Sequence, residues 1–182
     1  VVIQIGADKK IHEKAKEVCS RLKDCELDDR EEYTPGWKFN EWELKGVPLR
    51  IELGEKELES GKLTLVRRDN EERIEISELK LEEKVEDILQ SIQDNLFNRA
   101  KEYLENNIRE AENYDRLKEI LSKHGGLIKA PWCGETFCEE QIKEETGAKI
   151  TNIPFKYQEP RDKKCLLCDK KAEYYVHFAK SH

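Results

Sequence analysis

Four of the six cysteines fall into two close pairs. Cys133 and Cys138 enclose Gly-Glu-Thr-Phe, and Cys165 and Cys168 enclose Leu-Leu. Each short loop can turn two thiolates toward one ion, and a long segment between two such loops is the spacing of a structural zinc site. Four thiolates close a tetrahedron and leave no open ligand position, so the zinc expected here is structural, not catalytic. Two other readings of the spacing rank below zinc. An iron–sulfur cluster would use a tighter ferredoxin run, and redox-active thiols would need a redox fold around Cys165 and Cys168. Cys19 and Cys25 have no partner at metal spacing and read as packing residues or bystanders. The four histidines are scattered, and the glycines sit singly apart from Gly125-Gly126. No nucleophilic grouping and no phosphate-cradling loop is present, so the segment is read as doing no chemistry alone.

Regular elements must position those cysteines. Val1–Ile5 is a short apolar run ended by Gly6, the mark of a buried strand. Ile11, Ala15, Val18 and Leu22 recur at helical spacing over Lys10–Leu22. Pro35-Gly36 marks a turn. Trp37–Lys45 reads as a helix stopped by Gly46, and Val47–Leu53 as a strand. Leu63–Val66 and Ile74–Ile76 form two more strands, joined near Asp69-Asn70 by a turn that lacks the favoured Gly. From Leu81 to Leu104 an apolar stripe keeps a helical period, with Ser77 as the expected cap. This succession predicts an α/β fold, a mixed five-stranded sheet with flanking helices. Beyond it come a short helix from Tyr114, a strand over Leu127–Ala130, a helix over Glu139–Glu145 and a terminal strand over Ala172–Ala179. They predict a small α+β zinc-binding domain. The expected division is 1–108, including the long helix, and 109–182. Tyr157–Lys164 is the nearest thing to a flexible loop.

The charge balance narrows the partners. The chain has 33 basic and 40 acidic residues, a net charge of −7, which is not the basic excess of a dedicated DNA-binding protein. RNA recognition would need a local patch and shape. No apolar run is long enough to span a bilayer. Nothing at the start resembles a leader peptide, so the cytoplasm, where thiols stay reduced, is the expected location. The chain contains no methionine and is read as a piece of something longer.

Two blocks carry a family resemblance. The run Asp28-Asp29-Arg30-Glu31-Glu32-Tyr33-Thr34-Pro35-Gly36-Trp37-Lys38-Phe39-Asn40-Glu41-Trp42-Glu43-Leu44-Lys45-Gly46-Val47-Pro48-Leu49-Arg50 resembles the anticodon-binding domain of prolyl-tRNA synthetases of the archaeal and eukaryotic type. Ala130–Glu135, Ile142–Ala148, Ile153–Phe155 and Phe178–Ser181 resemble the zinc-binding domain which that branch appends. The resemblance spans essentially the whole chain. It implies the tRNA-recognition part of a class II enzyme that attaches proline to tRNA(Pro) with ATP. Proline, ATP and Mg2+ would then belong to a catalytic domain absent from this segment. The parent would be a homodimer, and no membrane is involved. The resemblance nominates Glu43, Arg50, Lys56 and Glu57 as anticodon-binding residues, with Glu57 standing where the family commonly has Asp. A carboxylate and a guanidinium suit guanine, and proline anticodons end in two guanines. A further base-reading Lys, implied near Glu72, is replaced here, and Arg73 and Arg67 are the candidate substitutes. Trp42 is read as packing; for Trp37 packing and base stacking stay open. Arg161, Lys163, Lys164, Lys170 and Lys171 are read as solvated. The family ends in Tyr, where this chain has His182. The rival reading is a freestanding, zinc-braced adaptor derived from the same domain, without catalysis.

Overall fold

The structure is a computed structural model that describes residues 1–156 and 158–180. Tyr157, at the head of the expected loop, and Ser181 and His182 at the end of the chain lie outside the described residues. The chain divides into two compact units, Val1–Arg99 and the part from Ala100 onward.

The first unit is built on five strands, β1 (Val2–Gln4), β2 (Leu27–Asp28), β3 (Leu49–Leu53), β4 (Lys62–Arg67) and β5 (Arg73–Ser77), in the order β2-β1-β3-β4-β5. β1 runs parallel to β2 and β3, while β3, β4 and β5 are antiparallel. The chain leaves β1 toward β2 on one side, then returns across β1 to β3. Right-handed crossovers in opposite directions put the two connecting helices on opposite faces. α1 (Lys9–Ser20) therefore takes the first face and α2 (Pro35–Leu44) the second.

The first face is the apolar core. Val2, Ile51, Leu53, Leu63, Leu65 and Ile76 pack there against Ile11, Ala15 and Val18 of α1, and against Leu81, Val85, Ile88 and Ile92 of the long helix. That helix, α4 (Leu81–Asn106), follows a short helix α3 (Glu55–Ser60) and the β4–β5 hairpin. A 3-10 turn over Glu78–Lys80 intervenes before α4, and the Ser77 side chain makes no capping bond, so Ser77 does not cap the long helix as the sequence suggested. In the hairpin loop Glu71 itself takes the left-handed conformation, φ +61°, that Gly would adopt without strain. Cys19 and Cys25 are half-buried against the core, with their sulfurs 2.7 Å apart.

The second unit has the sheet order β6-β7-β9-β8, from β6 (Ile108–Glu110), β7 (Leu127–Trp132), β8 (Ala148–Asn152) and β9 (Tyr174–Lys180). α5 (Tyr114–Lys123) makes the parallel crossover from β6 to β7, and α6 (Thr136–Thr146) links β7 to β8. Leu117, Ile120, Ile128, Ile142, Val176 and Phe178 form its core. β7 continues through Pro131, opposite Tyr175. Among the described residues no helix is long and apolar enough to cross a membrane.

Candidate nucleic-acid interface and metal centre

Strand alternation sets the composition of the sheet's second face. Leu49, Ile51 and Leu53 of β3 point into the core, so Arg50 and Glu52 point the other way. Register extends that face across the sheet: Arg50 pairs with Val66 and Val66 with Arg73, while Glu52 pairs with Thr64 and Thr64 with Glu75. Ile3 and Asp28 continue the second row across β1 and β2.

α2 packs over the β1–β2 part of this face and reaches β3 through Phe39 and Glu43. Its Trp42 is buried and donates from Nε1 to Asp28 at 2.7 Å. Lys38 is also buried, with Nζ donating to the carbonyls of Gln4 (3.3 Å) and Asp28 (3.4 Å) and lying 3.8 Å from the Asp28 carboxylate. Burial alone would raise the Asp28 carboxyl, but hydrogen bonds from Arg30 and Trp42 bring it down to about 2. Thr34 caps the helix by accepting from the Trp37 amide, with Pro35 in the first turn. Trp37 is exposed and stacks on Tyr33 at 3.8 Å, with the Arg30 guanidinium 4.9 Å from the Tyr33 ring centre.

Over β3, β4 and β5 the face is polar. Arg50 Nη1 donates to the Glu43 carboxylate, its Nε donates to Glu52 Oε1 at 3.0 Å, and its guanidinium lies 4.5 Å above Phe39. Arg73 donates to both oxygens of Glu52. At the far edge stands α3. Its Glu57 accepts from the Gly54 amide (3.1 Å) and from the Thr64 hydroxyl (2.9 Å). Lys56 reaches Glu75 at 3.3 Å, and Lys62 reaches the same carboxylate at 3.5 Å. Lys56 and then Lys62 hold Glu75 below the usual carboxylate range.

Glu43, Arg50, Lys56 and Glu57 thus border one sheet face in three separate groups: Glu43 and Arg50 with Glu52 and Arg73, Lys56 with Glu75 and Lys62, and Glu57 with Thr64. Glu57 also serves its own helix, with its carboxylate on the amide that precedes α3. Glu52 joins the network without having been singled out from the sequence, and Arg73 entered only as one of two candidate substitutes for a missing Lys. For Glu52 a signal was present, since it stands two residues from Arg50 on a strand. For Arg73 the signal is the register between strands, which a sequence does not carry on its face.

The cysteines converge in the second unit. Cys133 follows β7, and Cys138 lies in the first turn of α6. Gly134 between them sits at φ +87°, in the left-handed region. Cys165 and Cys168 lie on a loop closed by a bridge between Lys164 and Lys171. Two backbone bonds tie the two loops together: the Leu166 amide donates to the Pro131 carbonyl and the Glu173 amide to the Trp132 carbonyl, both at 2.8 Å. All four sulfurs lie within 4.8 Å of one another, and three of the four residues are buried. The Cys133 sulfur is 3.7 Å from that of Cys138 and 3.7 Å from that of Cys168. Burial and the neighbouring sulfurs push the Cys138 thiol up. At Cys165 burial acts in the same sense, but amides of Cys168 and Leu167 donating to the sulfur outweigh it and lower the thiol. Thiols this crowded ionise together only if a cation neutralises them, so the group fits a metal ion. The nearby cations are paired on the surface: Arg161 with Glu159, Lys163 with Glu112, Lys164 with Asp169 and Lys170 with Glu135.

Comparison with known proteins bears on both sites. Residues 1–88 match the anticodon binding domain family, and residues 114–182 match the family of the prolyl-tRNA synthetase C-terminal domain. These matches make the first unit an anticodon-binding domain, followed by a prolyl-tRNA synthetase C-terminal domain. A proline–tRNA ligase of Alkaliphilus oremlandii is 43% identical over 186 residues, covering 100% of this chain and 38% of its own length. One from Natranaerobius thermophilus is 43% identical, covering 86% of this chain and 32% of its own length. Proline–tRNA ligase 2 of Clostridioides difficile is 42% identical, with the same coverage of 86% and 32%. The chain belongs to the prolyl-tRNA synthetase family and spans about a third of the length of these relatives.

Proposed function

We propose that this chain is the tRNA-recognition part of a proline–tRNA ligase. It reads the anticodon of tRNA(Pro) with Glu43, Arg50, Lys56 and Glu57, and the rest of the enzyme, with Mg2+, attaches proline using ATP. The observation that supports this reading is the polar sheet face: Glu43 and Arg50 join Glu52 and Arg73 in one network there, and Lys56 and Glu57 reach the same face at Glu75 and Thr64. Guanine offers acceptors at O6 and N7 on its Hoogsteen edge and donors at N1 and N2 on its Watson–Crick edge; a guanidinium suits the first and a carboxylate the second. In RNA such edges are exposed in unstacked loops. The parent is a cytoplasmic homodimer, with its dimer contacts in the catalytic domain. We take residues 1–108 as the anticodon-binding domain and 109–182 as the appended one. The separation of the two sheets supports a division in this region. Binding of tRNA(Pro) transcripts, with and without replacement of the two anticodon guanines, tests the reading. A drop of at least tenfold on replacement is expected, and equal affinity would remove it.

The ion held by Cys133, Cys138, Cys165 and Cys168 is taken to be Zn2+. Zinc–thiolate bonds of about 2.3 Å in a tetrahedron give sulfur–sulfur edges of about 3.8 Å. The 3.7 Å separations support that fit. With every ligand position filled by the chain, the ion braces the domain. Elemental analysis of protein purified without chelator should find about one zinc per chain, and none would reject the assignment.

A further inference from the structure

Two cysteines stand apart from the metal centre. Cys19 and Cys25 carry free thiols, both half-buried, and their sulfurs lie 2.7 Å apart. Regular structure holds each of them in place. Cys19 sits in the last turn of α1, next to the fully buried Val18. The Leu22 amide donates to the Cys19 carbonyl at 3.1 Å, and Asp24 turns the chain back in the left-handed conformation, φ +53°. Just past Cys25, the Glu26 carbonyl accepts from the Val2 amide at 2.8 Å, which ties that side to β1. A helix end and a sheet edge therefore bring the two sulfurs together. A disulfide bond is about 2.05 Å long, so the sulfurs need to close by well under an ångström to join.

The two thiols are also ordered for such a step. Cys19 donates to the Cys25 sulfur, and Cys25 donates to the Glu26 carbonyl at 3.7 Å. A lone pair of Cys25 thus faces the Cys19 sulfur. Burial, and then the hydrogen bond with Cys19, push the Cys25 thiol up to about 12, so Cys25 keeps its proton at neutral pH. Cys25 borders a cavity of about 650 Å3 beside β3 and α4, which admits a molecule as small as hydrogen peroxide.

We propose that Cys19 and Cys25 form a reversible redox pair, closed to a disulfide by a hydroperoxide and reopened by a dithiol. Cys19 takes the first step. It gives its proton to water and its sulfur attacks one oxygen of the peroxide. The O–O bond breaks, and the leaving hydroxide takes up a proton and departs as water. Cys19 is then a sulfenic acid. The Cys25 sulfur attacks the Cys19 sulfur: the S–S bond forms, the S–O bond breaks, and the hydroxide leaves with the Cys25 proton as a second water. Two thiols and one hydrogen peroxide give one disulfide and two waters. A dithiol returns the two electrons by exchange and becomes a disulfide itself. Where thiols are otherwise kept reduced, a disulfide of this kind is transient. While closed, it ties the end of α1 to the approach to β2 and restricts the unfolded chain, which stabilises the first unit.

The test treats the chain, supplied with Zn2+ and freed of the excess, with an equimolar amount of hydrogen peroxide. Remaining thiols are blocked, the protein is cut with trypsin, and the peptides are weighed. Peptides Glu17–Arg21 and Asp24–Arg30 should appear joined, two hydrogens lighter than their sum, and dithiothreitol should part them. The four cysteines of the second unit should stay reduced, with the metal retained. In Cys25→Ser the sulfenic acid of Cys19 lacks its partner thiol and should be trapped by dimedone. In Cys19→Ser, Cys25 should take up little dimedone. Calorimetry should show the first unit melting about 5 °C or more higher in the oxidised chain, and the second unit unmoved. If peroxide oxidises the second unit while Cys19 and Cys25 stay reduced, or if it joins separate chains through either residue, the proposal is wrong. Dimedone on Cys25 at the level seen on Cys19 would overturn the order of the steps, and an unmoved first transition would overturn the bracing. The peptide map uses the unaltered chain, so it holds even if a variant misfolds.

Discussion

Asp28 meets Arg30 at 2.9 and 2.8 Å, Trp42 at 2.7 Å and, at 3.8 Å, the buried Lys38. It is the charge that lets α2 sit on the sheet with a lysine beneath it. Its carboxyl titrates at about 2, below the ordinary 3.8, because Arg30 and Trp42 outweigh the effect of burial. The unfolded chain therefore takes up this proton first as pH falls. The stability Asp28 contributes is complete above about pH 4 and is lost as pH drops toward 2. Asp28→Asn keeps the shape and removes the charge, leaving Lys38 buried without its counterion. A loss of about 3–5 kcal/mol at pH 7 is expected. Urea unfolding of both proteins at pH 7 and near pH 3 checks this. The gap should narrow at the lower pH, and a gap that stays constant would show that ionisation of Asp28 is not the source.

At the scale of elements, two glycines predict opposite outcomes. Gly36 lies in the first turn of α2, where an added Cβ would meet nothing within 4 Å and φ is not left-handed. Gly36→Ala should raise stability by about 0.5 kcal/mol, since it restricts the unfolded chain and costs the helix nothing. Gly126 stands at φ +85°, and a Cβ there would meet the Asn107 carbonyl oxygen at 2.7 Å. That oxygen accepts from the Leu127 amide where β6 and β7 begin to pair. Gly126→Ala should cost roughly 1–3 kcal/mol, from strain and from displacement of β6. Thermal melts of the two variants should move in opposite directions, and a stable Gly126→Ala would contradict the role given to this turn. The sequence already set Gly125-Gly126 apart as adjacent glycines, and the long apolar periods of α1 and α4 were legible because several turns repeat the signal. The shortest elements were not. β6 has three residues, and α3 has six and buries none, so neither offers a period. α3 matters most, because Lys56 and Glu57 stand on it. Arg50 and Glu52 could be placed on one face by alternation alone. Their meeting with Arg73 depends on pairing between strands, a long-range choice made by the core on the other face. The cysteines needed no such help, because two short loops limit where four sulfurs can go.

The whole molecule contains two cores that draw on different residues. One joins the first sheet to α1 and the early turns of α4, and the other lies among α5, α6 and the second sheet, beside the cysteines. The two sheets share no strand. The second unit is small, and an ion that binds only the folded arrangement of four thiolates contributes its binding free energy to folding. The first unit has no cysteine among its core-forming strands and gains nothing directly from that ion. Removing the metal should therefore divide the melting behaviour of the chain. Calorimetry of the metal-loaded protein against protein treated with a chelator should show one transition falling by about 10 °C or more while the other moves by a degree or two. Cys165→Ser should reproduce the chelator's effect without it. The aromatic probes assign the transitions: Trp37 and Trp42 report the first unit and Trp132 the second, so Trp132→Phe should silence the fluorescence change of the metal-sensitive step. If both transitions fell together, the units would be coupled in folding, and the ion would brace the whole chain instead of the appended domain. If neither moved, the four thiols would hold their places by packing alone, as the clustering of Cys133, Cys138 and Cys165 against Trp132 and Leu167 would then have to explain.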